Sequence, residues 1–318
     1  MNIVSPDDIE VAYRTIGAHI RTTPVMAISG NDVGSPIDLT LKLELLQYAG
    51  SFKPRGAFNR VLTAGVLPES GLVAASGGNH GAAVAYVAQS LGVTAEIFVP
   101  ATSPAIKRLN IERFGATVRV VEGLYDDAQR EANVRQACSA ALMVHPYDHP
   151  ATVAGQGTMS LELEAQLGTG AFDTMIVATG GGGFVAGQAA WFRDRVKIVS
   201  VEPETSQCLR QAKLAGRPVV VDVSGLAADS LGAREIGGVP WSIAEQFVDE
   251  AVVVPDAEIR AAQQRLWDAF HLVVEPGGAA ALAAVRCGAY RPSLGERVVV
   301  VVCGANCDPS TVTRPGGT

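Results

Sequence analysis

Apolar strands and amphipathic helices alternate along most of the chain. Between Gly71 and Tyr147 the periods follow closely: strand Leu72–Ala75, helix Asn79–Leu91, strand Ala95–Val99, helix Pro104–Phe114, strand Thr117–Val121, helix Tyr125–Ala140 and strand Leu142–Val144. This order predicts a small parallel α/β unit, because parallel neighbours need a crossover, usually helical, between them. The flanks carry their own strands around Leu39–Leu43, Thr174–Ala178, Val196–Val201 and Val298–Val302. The last is five valines in a row, which suits a strand buried on both faces. No repeat or low-complexity stretch interrupts the pattern.

Composition narrows the partners. A chain of 318 residues with 48% hydrophobic and only 18% charged content can bury a substantial core. A net charge of -7 argues against nucleic acid as a partner. Asp7, Asp8 and Glu10 are incompatible with the apolar core of a signal peptide, and no apolar run approaches the ~20 residues of a membrane-spanning helix. Cys138, Cys208, Cys287, Cys303 and Cys307 are odd in number and lack paired zinc-type spacings, which suits a reducing cytoplasm. His145 and His149 are four apart but stand beside Pro146 and Pro150, so they read as loop residues rather than a helical metal pair.

Two distant segments carry the chemistry. Thr179 is followed by four glycines, Gly180 to Gly183, placed between the strand ending at Ala178 and a helix expected over Phe184–Arg193. Bare amides at a helix start cradle an anion, and this run has neither the Lys-Ser/Thr ending of a P-loop nor a following acidic residue at dinucleotide-fold spacing. Lys53, in Ser51-Phe52-Lys53-Pro54-Arg55-Gly56, is the candidate amine, since a desolvated lysine loses its proton and condenses with a carbonyl. An aldehyde on a lysine and a phosphate in a glycine cup together point to pyridoxal phosphate.

Six ordered motifs resemble fold-type II pyridoxal phosphate enzymes, the family of threonine dehydratase and serine racemase: the Lys53 segment, Ser76-Gly77-Gly78-Asn79-His80-Gly81, Ala154-Gly155-Gln156-Gly157-Thr158, the glycine run, Glu275-Pro276-Gly277-Gly278-Ala279 and Cys303-Gly304-Ala305-Asn306. The resemblance implies a large open twisted α/β domain, residues 1–71 and 148–318, interrupted by a smaller parallel α/β domain, residues 72–147, with the cofactor in the cleft between them. It also implies a homodimer. The motif positions agree with a cleft outside the carboxyl ends of strands.

By the same resemblance Lys53 is the catalytic base and covalent anchor, Phe52 packs near the cofactor ring, Gly180 to Gly183 hold the phosphate, and Asn79 donates to the phenolic oxygen. Ser76, Asn79, His80 and Tyr147 then meet the substrate, with Asp148 nearby. Cys303 faces the ring nitrogen, and Glu275 lies beside the ring. For several residues a plainer reading stands beside this one: Phe52 and Cys303 as core residues, Ser76 or Asn79 as a helix cap, Glu275 as a cap of the alanine-rich helix that follows. In serine racemase a glutamate, a backbone carbonyl and an aspartate bind a divalent cation. Here Glu202 and Ser206 match that pattern, but Cys208 replaces the aspartate, and hard cations prefer oxygen. Glu202 then either ends a strand or helps hold a monovalent ion.

These features favour an ammonia-lyase that eliminates water from L-threonine or L-serine, a small hydroxy-amino-acid substrate, giving 2-oxobutanoate or pyruvate and ammonium. The stretch His149 to Thr158 looks most like threonine dehydratase, and the chain ends soon after Cys303, so a regulatory domain is not expected. Racemisation is disfavoured because Gly77 stands where serine racemase carries a serine. An amino-acid racemase or a 3-hydroxyaspartate ammonia-lyase is the alternative on the same scaffold. A phosphate- or nucleotide-binding protein without catalysis is the remote one.

Overall fold

The computed structural model describes residues 3–313. Its strands fall into two sheets. The first joins β1 (Val25–Ile28), β2 (Leu39–Lys42), β7 (Thr174–Ala178), β8 (Lys197–Pro203), β9 (Glu250–Val254) and β10 (Val298–Val301), in the order β1-β2-β10-β7-β8-β9. All neighbours are parallel except β1 and β2. The second sheet is wholly parallel, with β3 (Leu72–Ala75), β4 (Ala95–Pro100), β5 (Thr117–Val121) and β6 (Leu142–Met143) in the order β5-β4-β3-β6. Its strands come from one continuous stretch, whereas the six-stranded sheet draws on both flanks.

The central strands β7 and β10 are buried along their length, as a parallel sheet covered by helices requires. Helix Pro276–Arg286 lies against this core, and its run Gly277–Val285 is entirely buried. Strands β1 and β9 are the two edges of the large sheet, and neither is among the strands expected from the sequence. Each carries a four-residue apolar run, Val25–Ile28 and Ala251–Val254, but is only partly buried, as an edge strand is.

Helix Pro150–Leu167 organises the site from behind. It packs between helix Lys53–Leu62 and helix Gly183–Phe192 through close backbone approaches. A Cβ at Gly155 would fall 2.5 Å from the Arg55 carbonyl oxygen, and one at Gly157 would fall 2.8 Å from that of Gly187. The Ala154-to-Thr158 motif is therefore a packing seam that sets the lysine-bearing helix against the glycine-run helix. Gly155→Ala is expected to cost about 1–3 kcal/mol by overpacking, read as a lower midpoint in denaturant unfolding. A change below about 0.5 kcal/mol would show that the helices part freely.

Candidate active site

A pocket lies at the carboxyl ends of the large sheet's central strands, lined by Phe52, Lys53, Asn79, Tyr147, Gly180 to Gly183, Ser230, Glu275 and Cys303, among others. Lys53 is the first residue of its helix, and Nζ donates to the Pro146 carbonyl at 3.1 Å. Burial lowers its pKa to about 8, against smaller opposing effects of Cys303 and Glu275, so an appreciable fraction of the amine is free near neutrality. Phe52 stacks on Phe184 with ring centroids 3.8 Å apart.

The glycine run follows β7 and opens helix Gly183–Phe192, one residue earlier than the sequence period suggests. Gly182 has φ of 87°, a left-handed conformation that glycine adopts without strain. The Tyr147 ring lies over the run, so a Cβ at Gly181 would fall 2.4 Å from it. The first amides of a helix have no intrahelical acceptor, and here they border the pocket beside a basic amine.

Strand β3 ends at Ala75, and the Ser76-to-Asn79 turn follows into helix Asn79–Leu91. No side chain caps this helix. Ser76 Oγ accepts from the Gly78 amide at 3.2 Å, whereas the Asn79 side chain turns away to donate to Glu275 Oε1 and to accept from Asn306 Nδ2 at 2.8 Å. The His80 imidazole is committed elsewhere: Nε2 lies 2.7 Å from the Val144 carbonyl, and burial pushes its pKa down to about 3, leaving a neutral ring. Only the backbone of His80 remains for an anion.

Glu275 precedes helix Pro276–Arg286 without capping it through its side chain. Its carboxyl is buried among Asn79, Lys53 and Cys303, and burial raises its pKa to about 7. The buried Cys303 thiol donates to the Gly277 carbonyl at 3.5 Å, and burial, reinforced by Glu275, pushes its pKa upward, so it stays protonated. Asp148 does not line the pocket, and its carboxylate accepts from the Val239 amide at 2.8 Å.

Glu202, in β8, is anchored away from the pocket. Its two oxygens accept from the Leu209 and Arg210 amides, each at 2.7 Å, at the start of helix Cys208–Ala215. Among the described residues no cluster of three His, Cys, Asp or Glu could hold a metal. His149 is also more than a loop residue: Nδ1 accepts from the Ala151 amide at 3.1 Å and caps helix Pro150–Leu167.

The sequence does not single out Ser230, which lines the pocket, or Lys107, Asp229 and Asn306, which touch its wall. Only Asn306 stands inside a recognisable motif. The space beside Gly77 is filled rather than empty, since a Cβ there would fall 1.9 Å from Ser103 Oγ.

A partly free amine, a bare helix start, a neutral thiol and a flanking aromatic fit an aldehyde, a phosphate and a pyridine ring. This combination on a two-sheet α/β frame defines an enzyme that uses pyridoxal phosphate. The chain belongs to the pyridoxal-phosphate dependent enzyme family, whose model matches residues 16–304. It is 34% identical over 313 residues to threonine dehydratase 1 of Solanum lycopersicum, covering 96% of this chain and 50% of that one. It is also 34% identical over 325 residues to serine racemase of Rattus norvegicus, covering 98% and 95%. The chain thus spans about half the length of the threonine dehydratase and nearly all of the racemase. Among solved structures it superposes on maize serine racemase with a TM-score of 0.90 at 31% identity, covering 98% of this chain and 96% of that one. The threonine deaminase of T.th. gives 0.88 at 33%, covering 96% and 99%. Among the described residues no helix is long and apolar enough to cross a membrane.

Proposed function

We propose that the protein is an ammonia-lyase that removes water from L-threonine or L-serine, giving a 2-oxo acid and ammonium. The observation that carries this reading is a pocket whose one amine is partly free near neutral pH. Lys53 is that group, while His80 is neutral and bonded to a backbone carbonyl. Elimination needs a single base on one face of Cα. The cofactor, when bound, supplies the electron sink that makes the Cα proton acidic.

In this reading Lys53 takes that proton at Nζ, and the glycine-run amides hold the cofactor's phosphate. The turn at Ser76 and the His80 amide would hold the substrate carboxylate, and Asn79, fixed by Glu275 and Asn306, would stand beside the cofactor. Cys303, a neutral thiol, would offer the cofactor's ring no negative charge and so would temper the sink. Phe52 and Tyr147 cover the site and exclude water. The inserted arrangement of residues 72–147 within 1–71 and 148–318 belongs to the same reading, and the strand composition of the two sheets supports it.

One observation favours racemisation as a second reading. Gly77 lacks a side chain, but the Ser103 hydroxyl occupies the adjoining space, so a proton donor need not come from position 77. The test is to load the protein with pyridoxal phosphate and follow keto-acid release and D-amino acid formation from L-threonine, L-serine and 3-hydroxyaspartate. Keto acid as the main product supports the lyase and ranks its substrates. D-amino acid without keto acid would replace it with the racemase.

A further inference from the structure

Glu275 is approached on both oxygens from across the cleft. Asn79, from the helix after β3, donates to Oε1; Oε2 has no hydrogen-bond donor but lies 3.9 Å from Lys107 Nζ. Lys107 stands on helix Ala105–Glu112, after β4, and is 4% exposed. Its ammonium is also 2.7 Å from Asp229 Oδ2, on the short helix Ala228–Leu231 of the opposite unit, where the Asp229 side chain is 41% exposed. One buried cation is therefore shared between two carboxylates on the far wall, and the buried one lines the pocket with Lys53 and Cys303.

We propose that Lys107 is a positioning residue of this site, reaching across the cleft to set the charge of Glu275, with Asp229 competing for the same ammonium. The charged and titratable groups facing Glu275 are Lys107, Asp229, Lys53, Cys303 and Cys307; its remaining polar partner, Asn79, is neutral. Lys107 favours the carboxylate, and Asp229 opposes it by like charge and by drawing the ammonium away. Charge on Glu275 bears in turn on Lys53, whose protonated form it favours.

The two partners of the 2.7 Å ion pair provide the test. A purely structural role predicts that breaking the pair from either side has the same effect. The electrostatic role predicts opposite ones. The cofactor-loaded protein is titrated by infrared spectroscopy, following the C=O stretch of a protonated carboxyl that disappears in Glu275→Gln, and in parallel by visible absorbance. Lys107→Met is expected to raise the midpoint by about one pH unit or more, and Asp229→Asn to lower it, whereas Lys107→Arg stays near the parent. Midpoints that move together, or not at all, overturn the proposal. Asp229→Asn, at a partly exposed position, decides the matter alone if Lys107→Met does not fold. The proposal rests on the pocket reading given above. Colourless samples count against that reading, while the carboxyl band in the same samples still decides this one.

Discussion

Lys53→Ala is expected to lower turnover at least about 10³-fold while leaving the fold intact, since it removes both the covalent anchor and the base. The side chain makes one hydrogen bond, to the Pro146 carbonyl, and no ion pair among the described residues, so little structure depends on it. Its burial without a carboxylate partner holds the pKa near 8, a cost tolerated where a free amine is needed. The glycine run and the Phe52 wall remain in the variant. Cofactor should still bind, but reversibly, with an absorbance unlike that of the lysine-linked parent. Lys53→Arg should not rescue, because guanidinium does not deprotonate in this range. Turnover within tenfold of the parent would remove Lys53 from the mechanism and with it the reading of the pocket.

What the sequence reveals about this site is what is local. Lys53 and Gly180 to Gly183 announce themselves through neighbours in the chain, because backbone cups and helix starts are built from consecutive residues. The wall formed by Lys107, Asp229 and Glu275 is built from three elements far apart in sequence, and a lysine on a short amphipathic helix looks like any surface lysine until the fold buries it. The same limit applies to the strands. The buried centre of the large sheet is a set of fully buried apolar runs, whereas the short apolar runs of edge strands β1 and β9 are half solvated, a difference in burial that the sequence does not display. Motif position can also mislead about role: Ala154 to Thr158 stands in order with the cofactor motifs yet serves as the seam between two helices.

Arg55 is a further case, two residues from Lys53 and fully buried. It donates to both Glu44 oxygens at 2.8 Å and to Glu162 at 2.9 Å, while Lys42 lies 2.5 Å from the other Glu162 oxygen. Thr23, Thr158 and Gln166 complete the hydrogen bonding, so two cations and two carboxylates are balanced out of water. The cluster ties helix Lys53–Leu62 to the end of β2 and to helix Pro150–Leu167. Arg55→Met leaves two buried carboxylates facing Lys42 alone and is expected to cost about 3–5 kcal/mol at neutral pH in denaturant unfolding. The sign of its pH dependence follows from Glu44. Burial raises that carboxyl, but Arg55 and its hydrogen bonds carry it below the ordinary value. In the parent, Glu44 therefore adds stability that is present above its unfolded pKa and lost as pH falls through the folded one. Without Arg55, the largest effect opposing burial is gone and only Lys42 and Thr23 remain against it, so the folded pKa is expected to rise and protonation to become less costly to the folded state. The deficit of Arg55→Met should be largest near neutrality and shrink on acidification toward the carboxylate range. A deficit that stays constant or grows in acid would mean that the arginine acts by packing, and that the charges of this cluster contribute little to holding Lys53 in place.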